Sequence, residues 1–165
     1  MTTDTAAVDA LRAACLAARP DLADRPWLPP FRFGSTPASA DGLLALVLAG
    51  TKTTTSLAVA AAAVTGEPLP FAGSLSIVLD GAGRPRCVIE TIETTRQPLS
   101  AVDEAFAHAY GEGDRTRDWW LREMGDYYRE EFAALGLPAD PDPVLCCERF
   151  CVVHVVAEPG GAAPR

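Results

Sequence analysis

The chain is short of positive charge, of lysine above all, and of long apolar runs. Each shortage excludes something. Fourteen Lys and Arg against 22 Asp and Glu leave a formal net charge of -8. A long nucleic acid is held through its phosphates by many basic side chains, so this balance opposes extended polyanion binding. A local basic cleft, or a site for a single nucleoside, is compatible with it. No apolar run approaches the roughly 20 residues a membrane-crossing helix needs. Residues 1–9 lack the basic and apolar regions of a secretory leader, so a cytoplasmic protein is the expectation. Five cysteines, an odd number without framework spacing, point to reduced thiols rather than a disulfide scaffold.

What is present is ordinary for a globular domain: 165 residues, 48% of them hydrophobic, enough for one core. Residues 5–18 have the spacing of an amphipathic helix, with Val8, Leu11 and Cys15 on one side and Pro20 beyond its end. The proline-rich stretch 19–37 carries Trp27, Leu28, Phe31 and Phe33, which need burial, so it reads as an ordered connection. A second helix, capped by Ser39 or Asp41, runs to Ala49 with Gly50 closing it. The alanine-rich segment 56–64 reads as a short helix ended by Gly66. The period then changes. Ser74–Asp80 and Arg86–Thr95 read as two strands joined through Asp80-Gly81-Ala82-Gly83, with Val88 and Ile92 on one face of the second. Ser100 and Asp103 resemble a capping box for a helix through about Ala109. Thr116 caps the longest helix, through Leu135, whose Trp120, Met124, Tyr127, Tyr128 and Phe132 mark an apolar face. Val144–Ala157 is a final strand, and residues 158–165 a disordered tail. Helices segregated from a run of strands indicate an α+β fold.

The solitary lysine lies in Gly50-Thr51-Lys52-Thr53-Thr54-Thr55. Unlike arginine, a desolvated lysine can lose its proton and act as a base. In a helix-like turn Lys52 and Thr55 share a face, which lets an amine activate a hydroxyl. The structural alternative is a helix end, with Gly50 as cap and Lys52 near the negative end of the dipole.

Six segments in register carry a family resemblance: Phe33-Gly34-Ser35, the Gly50–Leu57 stretch, Gly66-Glu67-Pro68-Leu69-Pro70, Val78-Leu79-Asp80-Gly81, Val102–Ala107 and Gly111-Glu112-Gly113-Asp114. Their order resembles that of ASCH-domain proteins of the bacterial single-domain type. The resemblance implies a PUA-like fold over residues 31–157, a small, partly open β-barrel flanked by helices, with residues 1–30 as an N-terminal helix and connection. It also implies RNA binding, ribonuclease activity or hydrolysis of N4-acetylcytidine in a cleft carrying the G-x-K-x-x-T motif. There Lys52 would be base and Thr55 nucleophile, completed by a glutamate. The family's acidic E-G-E-G-D begins here with Tyr110, and Glu112 is the glutamate retained; Met124 stands where a histidine is usual.

The candidate site is therefore Lys52, Thr55 and Glu112 for chemistry, with Gly50, Thr53, Thr54, Tyr110, Asp114 and Arg84 around the substrate. RNA or a modified nucleoside is the expected partner, with a homodimer as an option. No cofactor or metal is expected. Cys146, Cys147, Cys151 and His154 suggest zinc by composition, but on one strand they point to opposite sides and do not converge. A binding module, with a base stacked on Trp27, Phe71 or Tyr110, is the alternative to a hydrolase.

Overall fold

A computed structural model describes residues 4–156; the expected C-terminal tail lies outside them. Five α-helices and four strands follow one another as α1 (Thr5–Ala18), α2 (Pro37–Leu48), β1 (Thr54–Ala58), α3 (Val59–Thr65), β2 (Leu75–Leu79), β3 (Pro85–Pro98), α4 (Glu104–Tyr110), α5 (Arg117–Ala134) and β4 (Val144–Val155). The strands form one antiparallel sheet in the order β1-β4-β3-β2, curled into a half-barrel.

Apolar patterning decides what covers the sheet. The α1 stripe of Val8, Leu11 and Cys15 packs on Leu75, Ile77 and Val88. Leu44 and Val47 of α2 pack with Phe33, Val78, Ile89 and Phe150. The aromatic face of α5 joins Phe106, Tyr110 and Leu145 in the largest cluster. The prolines of residues 26–31 do not make this segment a free connection. Trp27 and Phe31 bridge Leu75 and Val78 in parallel register, and the Leu28 and Phe31 amides donate to the Leu75 and Ile77 carbonyls at 2.8 and 3.0 Å. The outer edge of β2 is thereby covered.

The structure moves several boundaries. The α2 cap is Thr36, in a capping box with Ser39, because Pro37 is favoured at the first helical position. α4 is capped by Asp103 alone, and Leu99–Ala101 is a separate 3-10 turn. The expected helix 56–64 is instead β1 followed by α3: residues 54–58 pair with Arg149–Leu145 of β4. A bulge between Thr91 and Glu93 breaks the alternation of β3 and leaves Ile92 exposed.

Candidate functional site

A cavity of about 640 Å³ lies between β1, β4, the 28–35 segment, α3 and α5. Lys52 forms part of its wall. Its backbone follows from the end of α2: Gly50 takes φ 73°, and the Thr51 and Lys52 amides both donate to the Leu46 carbonyl. The backbone is thus the helix end that the sequence allows, while the side chain turns inward and is 1% exposed. Its Nζ donates to Glu112 Oε1 at 2.7 Å and to the Tyr110 carbonyl at 3.2 Å. It also sits 3.4 Å from the centre of the Tyr110 ring. Burial pulls its pKa down from 10.5 to about 8, with Glu112 opposing the drop. The amine is therefore poised to give up a proton near neutral pH.

Glu112 reaches Lys52 because the loop after α4 comes unusually close. Gly111 has φ 77°, and a Cβ there would stand 2.5 Å from the Thr51 carbonyl oxygen and 2.9 Å from the Lys52 Cα. Only glycine satisfies both the left-handed conformation and the contact.

Thr55 lines the same cavity but not through a helical turn. It lies on strand β1, so its neighbours are set by strand pairing, and it faces Glu148 of β4 directly. Behind it the Ser56 hydroxyl bonds the Tyr128 hydroxyl at 2.7 Å and the Tyr110 hydroxyl at 3.3 Å. Both phenols are pushed above their ordinary range, chiefly by burial, so they remain neutral donors.

Glu148 escapes the reading from sequence. It is 4% exposed and lines the cavity, and its Oε1 accepts from the Thr91 hydroxyl at 2.6 Å. Burial lifts its pKa from 4.5 to about 7, which the Thr91 bond moderates. A glutamate beside an arginine near the end of a chain gives no signal of this; only the pairing of β1 with β4 does.

Of the nine candidates, Lys52, Thr55, Tyr110 and Glu112 meet at the cavity, and the others do not line it. The Thr54 hydroxyl donates to the Phe106 carbonyl, and the Thr53 amide to that of Ala109, so both tie β1 to its neighbours. Gly50 is exposed at the helix end. Asp114 accepts from the amide and hydroxyl of Thr116 at the start of α5, and Arg84 pairs with Asp80 in the β2–β3 turn. In the structure these five hold backbone ties and local pairs outside the wall of this cavity. Trp27 and Phe71 likewise lie outside the cavity wall. Cys146 and Cys147 are buried and Cys151 exposed, all three with pKa raised by burial and reduced.

A curled four-stranded sheet whose cleft presents a buried amine, a strand hydroxyl and carboxyls defines a small α+β domain built around one ligand-sized site. The ASCH domain model matches residues 30–154, and the chain belongs to that family. An ASCH domain crystal structure from Lactobacillus crispatus is similar at TM-score 0.81 and 25% identity, covering 90% of this chain and 94% of that one. A crystal structure of an Enterococcus faecalis protein is similar at TM-score 0.78 and 30% identity, covering 90% and 89%. No curated protein matches the sequence.

Proposed function

We propose that this ASCH domain hydrolyses neutral, nucleoside-sized amides of the N4-acylcytidine type, with Thr55 as nucleophile and Lys52 as its base. The observation that carries the reading is the Lys52 amine, buried in a cavity wall with its pKa lowered to about 8. A volume of about 640 Å³ suits a single nucleoside. Glu67, Glu112 and Glu131 line the cavity against Lys52 and Arg32, so its wall carries no excess of positive charge to recruit a phosphate, which favours nucleosides over nucleotides or an RNA backbone.

In this reaction Lys52 first passes its proton to Glu112, 2.7 Å away. The neutral amine accepts the Thr55 proton as the hydroxyl oxygen adds to the acyl carbonyl. The C–N bond then breaks, leaving an acyl-Thr55 ester, which water hydrolyses to release the acid. A second reading, a module that binds an RNA base or modified nucleoside without turnover, draws on the resting geometry: Lys52 is held by Glu112 and the Tyr110 carbonyl rather than by Thr55.

Mass spectrometry of N4-acetylcytidine incubated with the protein separates the two. Hydrolysis gives cytidine and acetate with the native chain, none with Lys52→Ala or Thr55→Ala, and residual product with Thr55→Ser. Binding without product from the native chain supports the module instead. Product from folded Lys52→Ala would refute Lys52 as base.

A further inference from the structure

Glu148 is a buried carboxyl that the proposed reaction leaves unused, and its surroundings give it a direction. Thr55 and Glu148 are a directly opposed pair of β1 and β4, and both side chains enter the cavity. Opposed residues of antiparallel strands have Cβ atoms about 5 Å apart, so a bond forming at Thr55 is within reach of the Glu148 carboxyl. Oε1 is held by the Thr91 hydroxyl at 2.6 Å, and Thr91 is steadied in turn by Ser74 at 3.0 Å. The bulge between Thr91 and Glu93 sets this arm of β3 against β4. Among the described residues Oε2 has no hydrogen-bond partner, yet it is not sealed in the core. A carboxyl with one oxygen anchored and the other open presents its O–H to the cavity. Glu112 is committed to Lys52, and of the other carboxyls lining the cavity, Glu67, Glu131 and Glu148, only Glu148 is paired directly with Thr55 across the sheet, which sets it at the substrate's departing side.

Resting on the amidohydrolase reading, we infer that Glu148 is the general acid of this site, protonating the leaving nitrogen of the substrate. Cleavage of the acyl carbon–nitrogen bond sends its electron pair to nitrogen, which takes the Glu148 proton and departs as the free amine. Glu148 is left a carboxylate and Lys52 an ammonium. In the second half the carboxylate takes a proton from water as the water oxygen adds to the acyl ester. Thr55 leaves and recovers its proton from Lys52, and Glu112 hands the proton it held back to the amine 2.7 Å away, so every group returns to its starting state. The rise of the Glu148 pKa to about 7 keeps that proton available at neutral pH.

A leaving group that needs no proton makes the test. Glu148→Gln keeps the shape and can still accept from Thr91. Its kcat/KM is measured on N4-acetylcytidine and on 4-nitrophenyl acetate, whose phenolate leaves unaided; this ratio reports only steps up to the acyl enzyme. The inference expects a loss of about 10²–10⁴-fold on the amide and less than about tenfold on the ester. Thr91→Val, which frees the carboxyl without removing it, should show a smaller loss confined to the amide. Equal losses on both substrates, or none on either, overturn the acid role and leave the Thr55–Lys52 reading standing. Failure of the native chain to cleave the amide overturns both.

Discussion

Lys52→Met should make the protein more stable while disabling it. The fall of the Lys52 pKa from 10.5 to about 8 means that the folded state disfavours the charged amine by about 3 kcal/mol, at ~1.4 kcal/mol per pH unit. Methionine fills similar space without a charge to desolvate. Two losses offset the gain. The Tyr110 carbonyl loses its donor, which costs about 1 kcal/mol. Glu112 loses its ion pair, but its side chain is 21% exposed, so water takes over part of the role. That keeps it well short of the ~3–5 kcal/mol cost of orphaning a fully buried charge. The net expectation at pH 7 is a gain of about 1–2 kcal/mol, or about 3–6 °C in melting temperature for a chain of this size. The gain must also depend on pH. The native amine binds its proton less tightly folded than unfolded, so native stability rises as pH climbs from about 8 to 10.5. The advantage of the variant shrinks over that window. Thermal melts of both proteins at pH 7 and pH 9.5 read it. A variant that melts several degrees below the native protein at pH 7 would refute the claim that this amine is held at a cost.

Other perturbations test other parts of the site. Glu148 has the opposite sign: its folded pKa of about 7 lies above the ordinary 4.5, so its proton contributes stability that is complete below about 4.5 and lost as pH rises through 7. The contribution is on the order of 3 kcal/mol. The urea midpoint of the native protein, compared with Glu148→Gln, should therefore fall between pH 5 and pH 8, and a flat difference would show that the carboxyl is not buried as described. Ser56→Ala removes the hydroxyl shared by Tyr128 and Tyr110 and should cost about 1–3 kcal/mol in urea unfolding. Gly111→Ala drives a methyl into the Thr51 carbonyl and strains a left-handed residue, so it should cost about 1–3 kcal/mol and pull Glu112 from Lys52. An undiminished melting temperature in Gly111→Ala would show that the loop is looser than its geometry implies.

Local chemistry made part of this readable in the sequence. The α1 helix is legible because its apolar spacing, its end before Pro20 and its buried residues agree. Lys52 is legible because it is the single lysine beside a helix-ending glycine. Strand β1 is not. Five residues are too few to establish a period, and the alanines of 58 and 60–63 favour helix locally. What makes Thr54–Ala58 a strand is the pairing with residues 145–149, some ninety positions away. Misreading it also misplaces Thr55, whose partner becomes Glu148 rather than a neighbour one turn along a helix. Glu148 is invisible for the same reason. Asp114 and Arg84 show the converse: their structural partners, Thr116 and Asp80, lie within four residues, where the sequence itself displays them.

Pro29 and Pro30 sit in the segment laid along the outer margin of β2. A proline has no amide hydrogen to offer a newcomer, so lateral growth of the sheet stops at this border. A recombinant fragment trimmed to the family-matched stretch, residues 30–154, would lose Trp27 and Leu28 together with α1. It would bare hydrogen-bonding backbone and greasy side chains at once, an invitation to fibrillar stacking that the intact molecule declines.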